Sequence, residues 1–194
     1  EPEIRLFSVD FLGQITSGPM DEDGSLLEDL NAPSADGRSI FSIEAGTIVT
    51  DSEGNILELL VVNLAENLSL DQNTVAIAAY ELNPADAVFS RTVYLTIGYT
   101  FDEIPANTAS LTLDAYNLEI GWVALETEQN IVAGAGDFTG GLQQPGIYAL
   151  LAAIRTPLPE GYADLLVTRV GAERGIVKLW EPIVFAVRVG EHGS

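Results

Sequence analysis

Apolar and polar residues alternate along most of this chain with the period of two that belongs to β-strands. The clearest case is Arg91 to Tyr99, where Val93, Leu95, Ile97 and Tyr99 share one face and Thr92, Tyr94 and Thr96 the other. β-Branched and aromatic residues dominate that run, as a half-buried pleated surface requires. Ser39 to Ile43 alternates in the same way, and Ile4–Leu12, Thr47–Val49, Ile56–Leu64, Val75–Leu82, Ser110–Ala115, Gly121–Leu125 and Gly146–Ala153 extend the series. Turn signals punctuate it: Gly18-Pro19, Asp23-Gly24, Asp36-Gly37, the run Asp51-Ser52-Glu53-Gly54-Asn55, and Pro105. Gly37, Gly46, Gly54 and Gly121 fall at turns or strand edges, where positive φ is open to glycine. Phe41, Tyr80, Phe89, Tyr99, Tyr148 and Trp122 read as core or core-edge residues. No segment longer than about two turns carries a helical stripe. The pattern predicts an all-β protein, an antiparallel β-sandwich.

A boundary is expected at Thr156-Pro157-Leu158-Pro159-Glu160-Gly161, which would give a sandwich over residues 1–157 and a C-terminal strand pair over 158–194. The pair would be Ala163–Val170 and Pro182–Val189. Two strands alone are barely stable, and open edges template association. A strand-mediated or swapped homodimer is therefore expected.

Composition narrows the chemistry. The chain has 194 residues, 47% of them hydrophobic, so a core can be buried. It has no cysteine, one histidine (His192) and one lysine (Lys178). A thiol nucleophile is excluded, a Cys/His zinc site cannot be built, and a Schiff base would depend on Lys178 alone. Eight basic residues against 29 acidic ones give a net charge of −21. That surface repels nucleic acid and anionic lipid and attracts cations. No run of about 18 apolar residues is present, so no membrane span is expected. A start at Glu1 with no signal peptide reads as a piece of a longer precursor. Asn67-Leu68-Ser69 is a formal N-glycosylation sequon.

Several strings recur in a fixed order: Ser34-Ala35-Asp36-Gly37, Ile43-Glu44-Ala45-Gly46-Thr47, the 51–55 turn, Tyr80-Glu81-Leu82-Asn83-Pro84, Phe89, Val93 to Tyr99, Ile104-Pro105, Gly121 to Glu126, and Gly146 to Leu151. In order and spacing they resemble a ZU5-like β-sandwich module of archaeal and bacterial surface proteins. Ala163-Asp164-Leu165-Leu166-Val167 and Glu181 to Val187 resemble the opening of a CARDB-type, Ig-like adhesion module. The resemblance implies an extracellular or cell-surface location, with neighbouring domains of a larger protein as partners.

Three constellations bear on activity. Asp21, Asp23 and Asp29, with Glu22 and Glu28, crowd one acidic segment whose hard oxygens suit Ca²⁺, although ligand spacing of the EF-hand type is absent. The plainer reading is a hairpin turn with acidic shoulders, and the same choice applies to Asp51, Glu53 and Asn55. ZU5 relatives include self-cleaving members that use a His-Phe-Ser motif. The nearest string here is Asp137-Phe138-Thr139, which keeps a hydroxyl but replaces the histidine, and its plainer reading is a loop before the last strand. A carboxylate pair of glycosidase type cannot be singled out among so many acids. The sequence thus favours a non-enzymatic spacer module that needs no cofactor beyond a possible stabilising Ca²⁺. The alternatives are an adhesion module for glycan or protein, and a self-cleaving module.

Overall fold

A computed structural model describes residues 5–155, and the strand pair expected beyond residue 157 lies outside them. Fourteen strands make up the described residues: β1 (Arg5–Phe11), β2 (Gln14–Met20), β3 (Leu30–Pro33), β4 (Ser39–Ile43), β5 (Val49–Thr50), β6 (Leu59–Leu64), β7 (Thr74–Asn83), β8 (Val88–Phe89), β9 (Val93–Thr100), β10 (Thr108–Asn117), β11 (Gly121–Ala124), β12 (Thr127–Val132), β13 (Ala135–Leu142) and β14 (Ile147–Ile154). The one helical element among them is a 3₁₀ turn at Phe101–Glu103.

The strands form an all-β sandwich. One sheet has seven strands in the order β11-β10-β14-β7-β6-β1-β2, and the other five in the order β12-β13-β9-β4-β3. β5 and β8 form a separate two-stranded ribbon. Pairing is antiparallel except that β1 runs parallel to β6, Ser8 opposite Leu59 through Phe11 opposite Val62.

Alternation explains the core. In β9 the residues Val93, Leu95, Ile97 and Tyr99 are buried, as their period predicts, and in β4 so are Ser39, Phe41 and Ile43. They meet Phe7, Val9 and Phe11 of β1, Leu60 and Val62 of β6, Tyr80 and Leu82 of β7, and Tyr148 and Leu150 of β14. Phe11 and Tyr80 meet edge to face at 5.0 Å, a preferred aromatic geometry. The Tyr80 hydroxyl shares a 2.9 Å hydrogen bond with Ser39 Oγ, which ties β7 of one sheet to β4 of the other through the core. The four glycines expected in the left-handed region have φ of 69° (Gly37), 81° (Gly46), 88° (Gly54) and 79° (Gly121).

Three local expectations need correction. Gly18-Pro19 is not a turn but part of β2. β2 is the last strand of its sheet and pairs only with β1, so the missing proline N–H breaks no ladder. The segment read as a loop before the last strand is β13, with inward residues Gly136, Phe138, Gly140 and Leu142. Trp122 is half-buried rather than central and lies on the outer face of the seven-stranded sheet.

The parallel pair fixes where the chain enters and leaves this unit. β6 is antiparallel to β7, and β7 to β14, so β1 and β14 point the same way in one sheet. Arg5 therefore stands at one pole of the sandwich and Ile154 at the other. The loops between β7 and β8 and between β13 and β14, and the β10–β11 hairpin, lie toward the amino-terminal pole, with Ile147 level with the end of β1.

Candidate functional site

The acidic segments fold into hydrogen-bonded turns. Asp21 Oδ1 accepts from the backbone N–H of Asp23 at 3.0 Å and of Ser25 at 2.8 Å, while Gly24 N donates to Asp21 O. The 51–55 turn repeats this arrangement. Asp51 Oδ1 accepts from Glu53 N and Asn55 N at 2.9 and 2.8 Å, and Oδ2 from Asn55 Nδ2 at 2.8 Å. These donors, the Asn55 amide foremost, hold the Asp51 carboxyl below its usual range. In both turns Asp leads and glycine stands three residues on, because a short carboxylate reaches its own turn's N–H groups while glycine takes positive φ. Asp29 faces elsewhere, with Oδ1 accepting from Ala45 N at 2.8 Å. The predicted trio Asp21, Asp23 and Asp29 is not brought together, and among the described residues no group of three or more His, Asp or Glu is placed to hold a metal ion.

Asp137, Phe138 and Thr139 lie in mid-strand. Phe138 pairs with Ile97 on one side and Gln129 on the other, and its ring is 5% exposed, near Tyr99. The Thr139 hydroxyl shares a 2.8 Å hydrogen bond with Thr96 on the neighbouring strand. Asp137 Oδ2 accepts from Asn130 Nδ2 at 3.3 Å. Acyl shift needs that hydroxyl directed at the Phe138 carbonyl in a strained turn. Here the hydroxyl is engaged sideways in a regular ladder.

The outer face of the seven-stranded sheet carries a constellation that no motif announced. Strands β7 and β14 present the small residues Ala79 and Ala149 there, beside Leu151. Over them lies a strap, residues 65–73, that pins Ala65, Leu68 and Leu70 to the alanine floor. The strap leaves β6 through Ala65 N to Ala79 O at 3.0 Å and turns into β7 through Thr74 N to Asp71 O at 2.9 Å. Trp122 of β11 clamps it, since the indole Nε1 donates to Ser69 O at 2.8 Å. Tyr116, opposite Trp122 in register, holds its ring 5.1 Å from the indole at 59°. Asn67, Leu68, Ser69, Tyr116, Trp122 and Ile147 enclose a recess of about 90 Å³. On the same face Asp114 is 8% exposed, and its Oδ1 has no hydrogen-bond partner among the described residues.

A larger, shallow recess of about 470 Å³ opens at the amino-terminal pole between residues 85–88 and 143–145. Asp86 is its one ionisable group, and Gln143 is tied to Thr92 Oγ1 at 2.8 Å. Behind it the buried Tyr148 hydroxyl donates to Gln144 O, and burial pushes that phenol up to about 12.

Cationic side chains among the described residues are limited to Arg5, Arg38, Arg91 and Arg155. Arg5 pairs with Glu58 at 2.7 Å and Arg38 with Glu103, while Arg91 Nη1 donates to Ala45 O at 2.9 Å. The field over the surface is thus that of acidic groups few of which have a cationic neighbour.

Comparison of the chain with protein-family models, with curated proteins and with solved structures finds no match in any of the three.

Proposed function

We propose that this chain serves as a non-enzymatic spacer module of a secreted or cell-surface protein, of the ZU5-like kind that the ordered sequence strings resemble. The observation that carries this reading is the parallel course of β1 and β14 in one sheet, with chain entrance and exit at opposite poles. Followed across the registers, Ile147 lines up through Glu81 and Asn63 with the end of β1, so these points lie about fourteen residues, or roughly 45 Å, apart along the strand direction at about 3.3 Å per residue. Tension between them loads the β1–β6 and β14–β7 ladders in shear, so that several hydrogen bonds must yield together. The internal engagement of Asp21, Asp51, Asp29 and Thr139 supports a structural rather than a chemical use of those groups.

The test is single-molecule pulling of the full chain through cysteine handles at Arg5 and Arg155, positions made unique because the chain has no cysteine. A second pair at Arg5 and Gln144, both toward the amino-terminal pole, should peel the sheet strand by strand. The spacer reading requires a several-fold higher unfolding force for the first pair, and equal forces would refute it.

A second reading, as an adhesion module, draws on the recess at the amino-terminal pole and on the neighbouring β10–β11 hairpin tip, where Leu118 and Ile120 are 92% and 72% exposed. Exposed apolar tips of this kind suit a protein partner. Glycan or protein arrays probed with wild type and with L118S/I120S decide it, since only a partner held by that tip is lost in the variant.

A further inference from the structure

We infer that Asn67 is an N-glycosylation site whose first sugar is seated on the Trp122–Tyr116 recess. The inference rests on the proposed export of the chain, because the modifying machinery acts on exported proteins. Its first ground is the sequon Asn67-Leu68-Ser69, in which the acceptor amide and the Ser hydroxyl two residues on are the chemical requirements. Such triplets also arise by chance, so the sequence alone does not carry the site. The structure adds three observations.

Asn67 and Ser69 are exposed, whereas Leu68 between them is turned in against the sheet. Both polar members of the triplet therefore face solvent while the apolar member anchors them. Asn67 also has φ of 55°, a left-handed conformation that asparagine tolerates better than most residues. Finally, the residue lines the recess formed with Tyr116, Trp122 and Ile147, and the Trp122 bond to Ser69 O holds the triplet beside those rings. A ring linked to Asn67 Nδ2 can lay its C–H face on the half-buried indole, a partner with a large apolar surface.

The covalent step is ordinary amide glycosylation. Asn67 Nδ2 attacks the anomeric carbon of a lipid-phosphate-linked oligosaccharide, the C–O bond to phosphate breaks with its electron pair leaving on the lipid phosphate, and the amide loses one proton to base. No oxidant or reductant takes part.

The test expresses the full chain behind a secretion leader in a eukaryotic secretory host, in a Trp180→Phe background that leaves Trp122 as the sole indole. Intact mass is read before and after peptide-N-glycosidase treatment. A control variant, L118N/I120T, places a second sequon on the exposed β10–β11 hairpin tip. The expected result is one oligosaccharide on the parent chain, lost in Asn67→Gln and in Ser69→Ala and kept in Ser69→Thr. Acrylamide quenching of Trp122 should be at least halved in the glycosylated form relative to the enzymatically deglycosylated form. An unmodified Asn67 in a control chain whose hairpin sequon is occupied overturns the site. Occupancy with unchanged quenching overturns the seating on Trp122. The pulling experiment uses unglycosylated bacterial protein, so failure of the spacer reading is observed separately.

Discussion

Replacing Tyr80 by Phe removes one oxygen from the centre of the sandwich and keeps the ring that packs on Phe11. Tyr80 is 1% exposed and Ser39 0%, and burial raises the Tyr80 phenol above its ordinary range even though the Ser39 hydroxyl offsets part of that rise. Each hydroxyl is therefore cut off from water and depends on the other. Tyr80→Phe strands the Ser39 hydroxyl, and Ser39→Ala strands the phenol. An orphaned buried hydroxyl costs about 1–3 kcal/mol, whereas removing both partners together is nearly neutral. We expect each single variant to lose about 1.5 kcal/mol and the double variant about 1 kcal/mol, which leaves a coupling of about 2 kcal/mol. In a domain of this size each single variant should then melt about 3–6 °C below wild type. The assay is urea denaturation of the four proteins followed by circular dichroism, closed as a double-mutant cycle. Additivity, with the double variant losing the sum of the two singles, would show that the bond does not tie the sheets and would refute the reasoning.

Four further outcomes follow. Trp122→Phe keeps an aromatic ring but loses the N–H to Ser69 O, and should cost about 1 kcal/mol while making residues 65–73 the first site of proteolytic nicking. Gly98→Ala would place a Cβ 2.6 Å from the Arg38 carbonyl oxygen, which accepts the Gly98 N–H; a loss of about 2–3 kcal/mol in chemical denaturation is expected from the forced backbone shift. Added NaCl should raise the melting temperature, since a Debye length falling from about 10 Å at 0.1 M to about 3 Å at 1 M screens repulsion among the acidic groups, and a flat response would contradict this. With pH, two groups of residues act in opposite ranges. Asp36, held low first by the Ser34 hydroxyl and then by Arg38 N, and Asp51 both have depressed values; their stabilisation is complete above the unfolded value of about 3.9 and disappears as pH falls through the folded one. Tyr148 and Tyr80 are raised by burial, so their contribution is complete below the unfolded value of about 10 and is lost as pH climbs toward the folded ones. Phenolate absorbance against pH, read beside circular dichroism, should show late-titrating tyrosines ionising together with unfolding.

The alternation that defines β4 and β9 was legible because both strands bury one face and expose the other. β13 was hidden by its glycines. Two of its inward positions, Gly136 and Gly140, carry no side chain because their neighbours fill the space: the Tyr99 ring crosses Gly136, and a Cβ on Gly140 would meet Leu113 Cδ2 at 2.8 Å. The apolar signal for those positions thus resides on other strands, beyond the reach of a local window. Pro19 misled for a related reason, since its tolerance depends on β2 being an edge, which only the sheet order reveals. The acidic turns were readable as turns from Asp and Gly, and the hydrogen bonds of Asp21 and Asp51 follow from that spacing. The strap was not readable. Trp122 and Ser69 are 53 residues apart, and the alanines of β7 and β14 look like weak core positions until something is seen lying on them. β14 is buried along most of its length for the same reason, with Tyr148 and Leu150 on the inner core and Ala149 and Leu151 beneath the strap.

The opposed poles of β1 and β14 also restrict how the unit can be rewired. A domain whose chain ends lie side by side can be circularly permuted with a few linking residues, or dropped into a surface loop of a host protein. Here a peptide joining residue 155 back to residue 5 would have to retrace the staggered length of the sheet, which takes about thirteen fully extended residues even along a straight path. Permutants made with shorter linkers should fail to close the β1–β6 ladder, so a gene encoding this fold recombines readily as a bead on a string and poorly as an insert.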